Sequence, residues 1–529
     1  MPRILVSDPV AKEGIEILQK HFDVDVKTGL EKSKLIEIIG DYDALIVRSE
    51  TKVTADVLEA AKNMKIIGRA GVGVDNIDVP VATEKGIIVV NSPGGNTIAA
   101  AELTMAMMLA LARNIPQGHA SLRAGEWKRS KFVGNELYGK TLGIYGLGKI
   151  GSAVAKRAQS FEMDIIAYDP FVSEEYASKI GVELVSMDEL LRRSDYITIH
   201  VPATKDTKGS IGKDEIAKMK PGVRIINVAR GGIVDEAALA KAVEEGKVAG
   251  IAFDVYESEP PPPDNPLLKL DKAITTPHLG ASTEEAQINV AIDVAEQIVD
   301  VLNGKPARSA VNMPALSAEV LAAVEPFMLL GERIGMMATQ LTDGAVKSIE
   351  IAYCGDLSTM EYGPVGRSVL KGLLQPILTE PVNLVNAPVI AESRGIRITE
   401  SKSVGPEDYT SLLAVKVKTD RGEKLIEGTV FGKRDFRIVK IDGFMIDVVP
   451  DGAMLVTTHI DKPGVIGRVG TLLGNHNINI AGMHVGRAGI GKEAVMVLNV
   501  DDPVPDLVMD EIRKLDGIET AKLVQFNQN

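Results

Sequence analysis

Residues 141–151 read Thr141-Leu142-Gly143-Ile144-Tyr145-Gly146-Leu147-Gly148-Lys149-Ile150-Gly151, an apolar run that ends in a loop of the form G-x-G-x-x-G. Glycines at Gly146, Gly148 and Gly151 permit a tight turn, a close backbone approach to a pyrophosphate, and close contact between strand and helix. The first N–H groups of the helix that follows then face phosphate oxygens. Alone, the pattern is weak. Here a strand precedes it, a helix follows, and the next apolar run, 164–168, leads into Asp169, 23 residues after Gly146. A carboxylate at that point accepts hydrogen bonds from ribose hydroxyls and repels a 2′-phosphate, so the expected cofactor is NAD rather than NADP. The competing reading is a glycine turn with a surface aspartate.

Further apolar runs at 196–200, 224–228, 249–254 and 273–276 alternate with helical spacing, so residues 98–281 read as a parallel α/β domain. Upstream, 3–7, 23–27, 44–48, 65–69 and 87–91 are expected strands, several apolar throughout, as suits parallel strands covered on both faces. Residues 1–97 are therefore expected to form a second doubly wound domain of flavodoxin-like type. The apolar stretch 98–112 is interrupted by Glu102 and too short to span a bilayer, which makes it a buried helix. An amphipathic helix over 282–302, stopped near Gly304, returns the chain to the first domain, so 282–306 belongs with 1–97 and a cleft separates the two domains. Residues 315–450 carry a helix (320–341) and strands (346–353, 412–419, 425–431, 436–441), an α+β unit with no chemical motif. Residues 453–529 read strand, helix, strand, strand, helix, strand, a ferredoxin-like unit.

A chain of 529 residues needs several cores. Its net charge of −13 argues against nucleic acid, although a basic pocket on an acidic protein still suits an anionic substrate. The single cysteine, Cys354, excludes an intrachain disulfide and reads as a buried filler thiol in a reducing compartment. The opening Met1-Pro2-Arg3-Ile4-Leu5-Val6-Ser7-Asp8 is too short and polar for a signal core. Cytoplasmic localisation is expected, with no membrane partner and no metal.

Three later strand ends carry reactive side chains: Arg230 in Asn227-Val228-Ala229-Arg230-Gly231-Gly232, Glu259 in Asp254-Val255-Tyr256-Glu257-Ser258-Glu259-Pro260, and His278 in Thr276-Pro277-His278. In an open parallel sheet ligands bind beyond the carboxyl ends of the strands, so these residues should line one crevice with Gly146 and Asp169. Oxidising a 2-hydroxy acid removes a hydride from C2 and a proton from its hydroxyl. A histidine can take the proton, a glutamate on its other ring nitrogen fixes the tautomer, and an arginine fork grips the carboxylate. His278, Glu259 and Arg230 are assigned these roles. Each has a structural alternative, a capped loop histidine or an ion pair, and only their joint placement favours catalysis.

These segments, together with Gly68-Arg69-Ala70-Gly71-Val72-Gly73-Val74-Asp75-Asn76 and His278-Leu279-Gly280-Ala281-Ser282-Thr283, resemble the D-2-hydroxyacid dehydrogenase family, and within it the branch acting on 3-phosphoglycerate. The resemblance implies catalytic roles for Arg230, Glu259 and His278. It implies cofactor contacts at Val72, Lys149, Ile150, Asp169, Val201, Val228, Ala229, Asp254, His278, Leu279, Gly280 and Ala281, beside Gly146, Gly148, Gly151 and Arg230. It also implies a homo-oligomer, dimer or tetramer, built on the nucleotide domains. The catalytic trio specifies a 2-hydroxy acid without saying which; a phosphate needs further cations, and Arg48, Arg69 and the run Lys128-Arg129-Ser130-Lys131 beside Trp127 are the candidates, with Asn96 as a polar contact. The resemblance puts the basic run in a neighbouring subunit's cleft; the alternative is a solvated charged loop.

The last segment resembles an ACT regulatory domain, carried by His459-Ile460-Asp461-Lys462-Pro463-Gly464-Val465-Ile466-Gly467 and Asn477-Ile478-Asn479-Ile480-Ala481. That implies pairing with a second copy and L-serine as effector, with His459, Asp461 and Asn479 as ligand-binding positions; a purely structural module is the alternative. Residues 315–450 resemble the intervening domain of the long form, for which an additional anion or substrate effector site is implied. Two other functions remain open: reduction of glyoxylate, hydroxypyruvate or another unphosphorylated acid, and a catalytically inactive NAD-sensing binding protein.

Overall fold

The computed structural model describes residues 1–314, 318–379, 381–403 and 408–526. Its first sheet holds β1 (Arg3–Val6), β2 (Asp23–Val26), β3 (Ala44–Val47), β4 (Ile66–Arg69) and β5 (Ile88–Asn91), all parallel, in the order β2-β1-β3-β4-β5. Strand β3, Ala-Leu-Ile-Val, is buried along its whole length because helices cover both faces. One of them is the long helix Glu284–Leu302, capped by Thr283, whose Val294, Ala295 and Ile298 join Ile4, Val6 and Ile66 in one cluster.

The second sheet holds β6 (Thr141–Tyr145), β7 (Asp164–Tyr168), β8 (Glu183–Leu184), β9 (Tyr196–Ile199), β10 (Val223–Asn227), β11 (Val248–Phe253) and β12 (Ala273–Thr275). Its order is β12-β11-β10-β9-β6-β7-β8, all parallel, so the winding reverses between β6 and β9. That reversal opens a crevice at the carboxyl ends of the two strands, directly above the glycine loop. The helix Thr97–Arg113 packs here, with Ala101, Met105, Met108 and Leu111 buried among residues of the second sheet. No single helix among the described residues is long and apolar enough to cross a membrane.

The third sheet is mixed. It comprises β13 (Val346–Gly355), β14 (Arg397–Ser403), β15 (Ser411–Thr419), β16 (Glu423–Phe431), β17 (Asp435–Ile441) and β18 (Phe444–Val448), with only β13 and β14 parallel. The helices Ala318–Leu341 and Gly363–Leu374 pack together in its core. Strands β14 and β18 and the helices Gly363–Leu374 and Ala387–Ser393 had no expected counterpart. Strand β14, Arg-Ile-Thr-Glu-Ser-Lys-Ser, is an exposed edge with a single partner, so its sequence lacks apolar alternation. The edge strand β8, two residues long, was equally invisible to periodicity. Cys354 is buried and free, and burial pushes its thiol up.

The last unit is antiparallel, with β19 (Ala453–Ile460), β20 (Ile480–Arg487), β21 (Glu493–Val500) and β22 (Ile518–Gln525) in the order β20-β21-β19-β22. Helices Val465–Asn475 and Asp506–Arg513 complete the expected strand-helix-strand-strand-helix-strand path.

Candidate active site

A cleft of about 460 Å³ runs between the first two sheets. Its walls combine Arg48, Arg69, Val72, Asp75 and Asn96 from the first with Ile150, Val201, Val228, Ala229, Arg230, Glu259, His278, Gly280 and Ala281 from the second. Most residues expected to touch cofactor or substrate are therefore brought together.

The glycine loop is built for a ligand that lies against its backbone. Gly146 has φ of +96°, and a Cβ there would come within 2.7 Å of the His200 carbonyl oxygen. Gly148 differs: a Cβ there would meet nothing within 4 Å, so the protein itself does not demand glycine. That open space lies at the start of the helix Lys149–Gln159 and has the character of a pyrophosphate cradle. Asp169 follows β7, where its carboxylate accepts bonds from the N–H groups of Leu147 (2.8 Å) and Phe171 (2.9 Å). It thus sets the loop's shape as well as standing where an adenosine ribose would lie. These residues fit NAD.

His278 sits after β12 with φ of +54°, a left-handed conformation uncommon for residues other than glycine. The loop is held there by Asp254, which is fully buried and accepts bonds from Thr276 Oγ1 (2.6 Å), Leu279 N (2.7 Å) and Gly280 N (2.8 Å). Burial pushes the Asp254 carboxyl up despite those three donors. Expected as a cofactor contact, Asp254 here clamps the loop that carries His278. Nδ1 of His278 lies 2.6 Å from Glu259 Oε2, while Tyr256 N donates to Oε1 at 3.1 Å. Burial alone would raise the Glu259 carboxyl; the hydrogen bond and charge of His278 outweigh it and hold the group below the usual carboxylate range. A carboxylate on Nδ1 places the proton there and leaves Nε2 as the basic nitrogen.

Arg230 leaves β10 in a turn pinned by buried Asn227, whose Nδ2 donates to Arg230 O (2.9 Å) and whose Oδ1 accepts from Ala229 N (3.0 Å). The guanidinium donates through Nη1 to Ala229 O at 2.7 Å, and Nε lies 3.2 Å from Asp75 Oδ2. Arg69 and Arg48 stand on the opposite wall. Burial, then the like charges of Arg230 and Arg48, push Arg69 down to about 10. Three arginines so placed repel one another, and an anion relieves them. Among the described residues, Nε of Arg69 and Oδ1 of Asn96 are buried without a partner, as polar groups awaiting a polar ligand are.

Several contributors were missed from sequence. Buried Asp8 accepts bonds from Arg48 N (2.6 Å) and Thr51 N (3.0 Å), and Asn76 Nδ2 donates to Arg48 O (2.9 Å) and Thr51 O (2.7 Å). Together they fix the loop that carries Arg48. His200 lines the cleft, where burial lowers it to about 3 and keeps it neutral. Only the Gly73-Val74-Asp75-Asn76 stretch carried a signal for any of these.

Two expected groups lie apart from the cleft. Lys128, Arg129 and Lys131 line a shallow hollow of their own with Trp127, which is 77% exposed, and Lys128 pairs with Glu126 at 2.8 Å. In the last unit, His459 is buried at the end of β19 and Asp461 lies 3.2 Å from Arg487, whereas Asn479 stands before β20 and donates to Asp501 at 2.7 Å. Strand register sets His459 level with Arg487, eight residues from Asn479 along β20. At about 3.3 Å per residue the two are on the order of 25 Å apart, so one chain does not unite them around a small molecule.

The Rossmann-type sheet, the glycine loop and the Arg–Glu–His constellation at successive strand ends define an NAD-dependent D-2-hydroxyacid dehydrogenase. Residues 105–280 match the NAD-binding domain of the D-isomer-specific 2-hydroxyacid dehydrogenases, 323–442 the D-3-phosphoglycerate dehydrogenase intervening domain, and 453–517 the ACT domain. The D-3-phosphoglycerate dehydrogenases of Archaeoglobus fulgidus and Bacillus subtilis are 52% and 45% identical to it, each over 99% of this chain and 100% of theirs. Accordingly, the chain belongs to the D-3-phosphoglycerate dehydrogenase family, in its long form. Among solved structures, a D-lactate dehydrogenase of Aquifex aeolicus complexed with NAD and lactic acid is similar at 29% identity and a TM-score of 0.54, covering 59% of this chain and 100% of that one. A glyoxylate reductase of Paecilomyes thermophila is 33% identical with a TM-score of 0.55, covering 59% and 98%.

Proposed function

We propose that the chain oxidises 3-phospho-D-glycerate to 3-phosphohydroxypyruvate with NAD, the step that opens L-serine synthesis. The observation that carries this reading is Arg48 and Arg69 on one wall of the cleft, facing Arg230 and the His278–Glu259 pair on the other. Arg230 anchors the substrate carboxylate and polarises the C2 oxygen. Arg48 and Arg69 hold the phosphate, and Asn96 contacts the substrate between them. Nε2 of His278 takes the hydroxyl proton of C2 while Glu259 stabilises the resulting imidazolium. Gly146, Gly148, Lys149, Ile150, Gly151 and Asp169 hold the adenosine and pyrophosphate portion of NAD, while Val72, Val201, Val228, Ala229 and the His278–Ala281 loop (278–281), braced by Asp254, flank the remainder. Bound NAD supplies the acceptor for the C2 hydride.

An NAD-coupled assay across 3-phosphoglycerate, D-glycerate, glycolate and D-lactate, with and without serine, tests this reading. Strong preference for 3-phosphoglycerate supports it; equal efficiency on D-glycerate overturns the phosphate assignment. Absence of NADH formation with every acid at alkaline pH would favour the NAD-sensing alternative.

L-serine is the effector we assign to the last unit, through His459 and Asp461 of one copy and Asn479 of a second. A dimer is the assembly we infer, since exposed Ile98, Ile115, Leu122, Trp127, Val133 and Tyr138 crowd one stretch of chain, and it would let Lys128, Arg129 and Lys131 approach a neighbour's cleft. The lone thiol of Cys354 agrees with a cytoplasmic setting.

Asp169→Ala is expected to raise the KM for NAD about 10- to 100-fold, the equivalent of losing a hydrogen bond to a charged group. The ratio of NADP to NAD use should rise with it, and steady-state kinetics with both cofactors measures both. An unchanged NAD KM would remove Asp169 from the cofactor site.

A further inference from the structure

Beside Glu259, one carboxylate in the cleft has the wrong sign for an anionic substrate. Asp75 follows Gly71-Val72-Gly73-Val74 in the loop after β4, and its Oδ2 lies 3.2 Å from Arg230 Nε. We propose that Asp75 is an internal stand-in for the substrate carboxylate: it occupies Arg230 while the cleft is empty, gives way when substrate arrives, and thereby sets how strong an anion must be to enter. This rests on Arg230 being the carboxylate anchor.

The geometry singles out one edge of the guanidinium. A two-bond grip on a carboxylate uses a pair of adjacent nitrogens. Nη1 already donates to Ala229 O at 2.7 Å, so the edge with no backbone bond is Nε with Nη2, and Asp75 sits on Nε of that edge. Glycine at position 73 permits that contact, because a Cβ there would lie 1.9 Å from Arg230 Nη2 and 2.7 Å from Asp75 Oδ2. The backbone is firm at this point, since Asn76 bonds to the carbonyls of Arg48 and Thr51. The Asp75 side chain, by contrast, is 73% exposed and free to swing. A pair whose carboxylate is this exposed is weak, so it yields to a ligand that brings a carboxylate and a phosphate together, and resists one that brings less. Asp75 also offsets the crowding of positive charge, since it favours the charged form of Arg69 where Arg230 and Arg48 oppose it.

A strut that merely orients Arg230 would behave oppositely on removal, which makes the proposal testable by sign. With Asp75→Asn and Asp75→Ala, the KM for 3-phosphoglycerate is expected to fall roughly two- to fivefold while the KM for NAD stays as in the parent, the range an exposed ion pair commands. Inorganic phosphate should become a stronger competitive inhibitor, and both gains should shrink as added KCl screens the site. A raised or unchanged substrate KM in both variants overturns the proposal. Failure of the parent protein to reduce NAD with 3-phosphoglycerate would instead overturn the functional reading, and an unaltered substrate KM in Arg230→Gln would overturn the anchor on which Asp75 acts.

Discussion

Replacing His278 with alanine is expected to lower kcat for 3-phosphoglycerate oxidation by about a thousandfold while NADH still binds. A positioned general base contributes about 10²- to 10⁴-fold, and a thousandfold is the middle of that range. Here the orientation is visible. Glu259 lies 2.6 Å from Nδ1, Tyr256 N holds Glu259, and Asp254 holds the backbone on which His278 stands. Because Glu259 is kept below the usual carboxylate range, it is ionised throughout the neutral range. The sign for stability follows: a lowered carboxyl favours the folded state above its ordinary range, and that contribution disappears as pH falls through the lowered value. Activity and NADH fluorescence titration check the two halves of the prediction separately. Retention of a tenth of the parent kcat would refute the acid/base role, and loss of NADH binding would show that the 278–281 loop had collapsed.

Arg230→Gln is expected to reduce kcat/KM by about 10³-fold, divided between both parameters. Removing one preorganised donor to a developing or polarised oxygen costs about 10²- to 10³-fold in kcat, and loss of a charged anchor adds to KM. Arg230→Lys should recover little, because an ammonium presents no planar fork and reaches the C2 oxygen and the carboxylate less well at once. NAD affinity should change far less than substrate affinity, since the pyrophosphate lies on the glycine loop. A variant with an altered KM but full kcat would leave Arg230 as a binding residue and remove polarisation of C2 from the mechanism.

The sequence disclosed the dinucleotide domain readily, because its central strands are buried and each reactive side chain lies within six residues of a strand end. Gly146, Asp169, Arg230, Glu259 and His278 could be placed from strand ends alone. What it concealed follows a physical pattern. Edge strands β8 and β14 are short or exposed and lack the alternation that burial enforces. Asp8 and Asn76 act on the backbone of the Arg48 loop, a contact between segments some 40 and 28 residues apart in the chain that no local pattern encodes. Asp254 was legible as a polar residue at a strand end, yet the geometry of the 276–280 loop was needed to show it bracing His278. The cations were the hardest to sort. Arg48 and Arg69 converge because β3 and β4 are neighbours, whereas the equally basic Lys128-Arg129-Ser130-Lys131 run lies on a separate surface.

The separation of His459 from Asn479 along the last sheet has a consequence for how any ligand of both would behave. Such a ligand bridges two copies, so its occupancy and their association are one linked equilibrium. Its apparent potency would then sharpen with chain concentration and fade on dilution. Under that linkage the module would answer two questions with one signal: how much of that ligand is present, and whether the copies are associated.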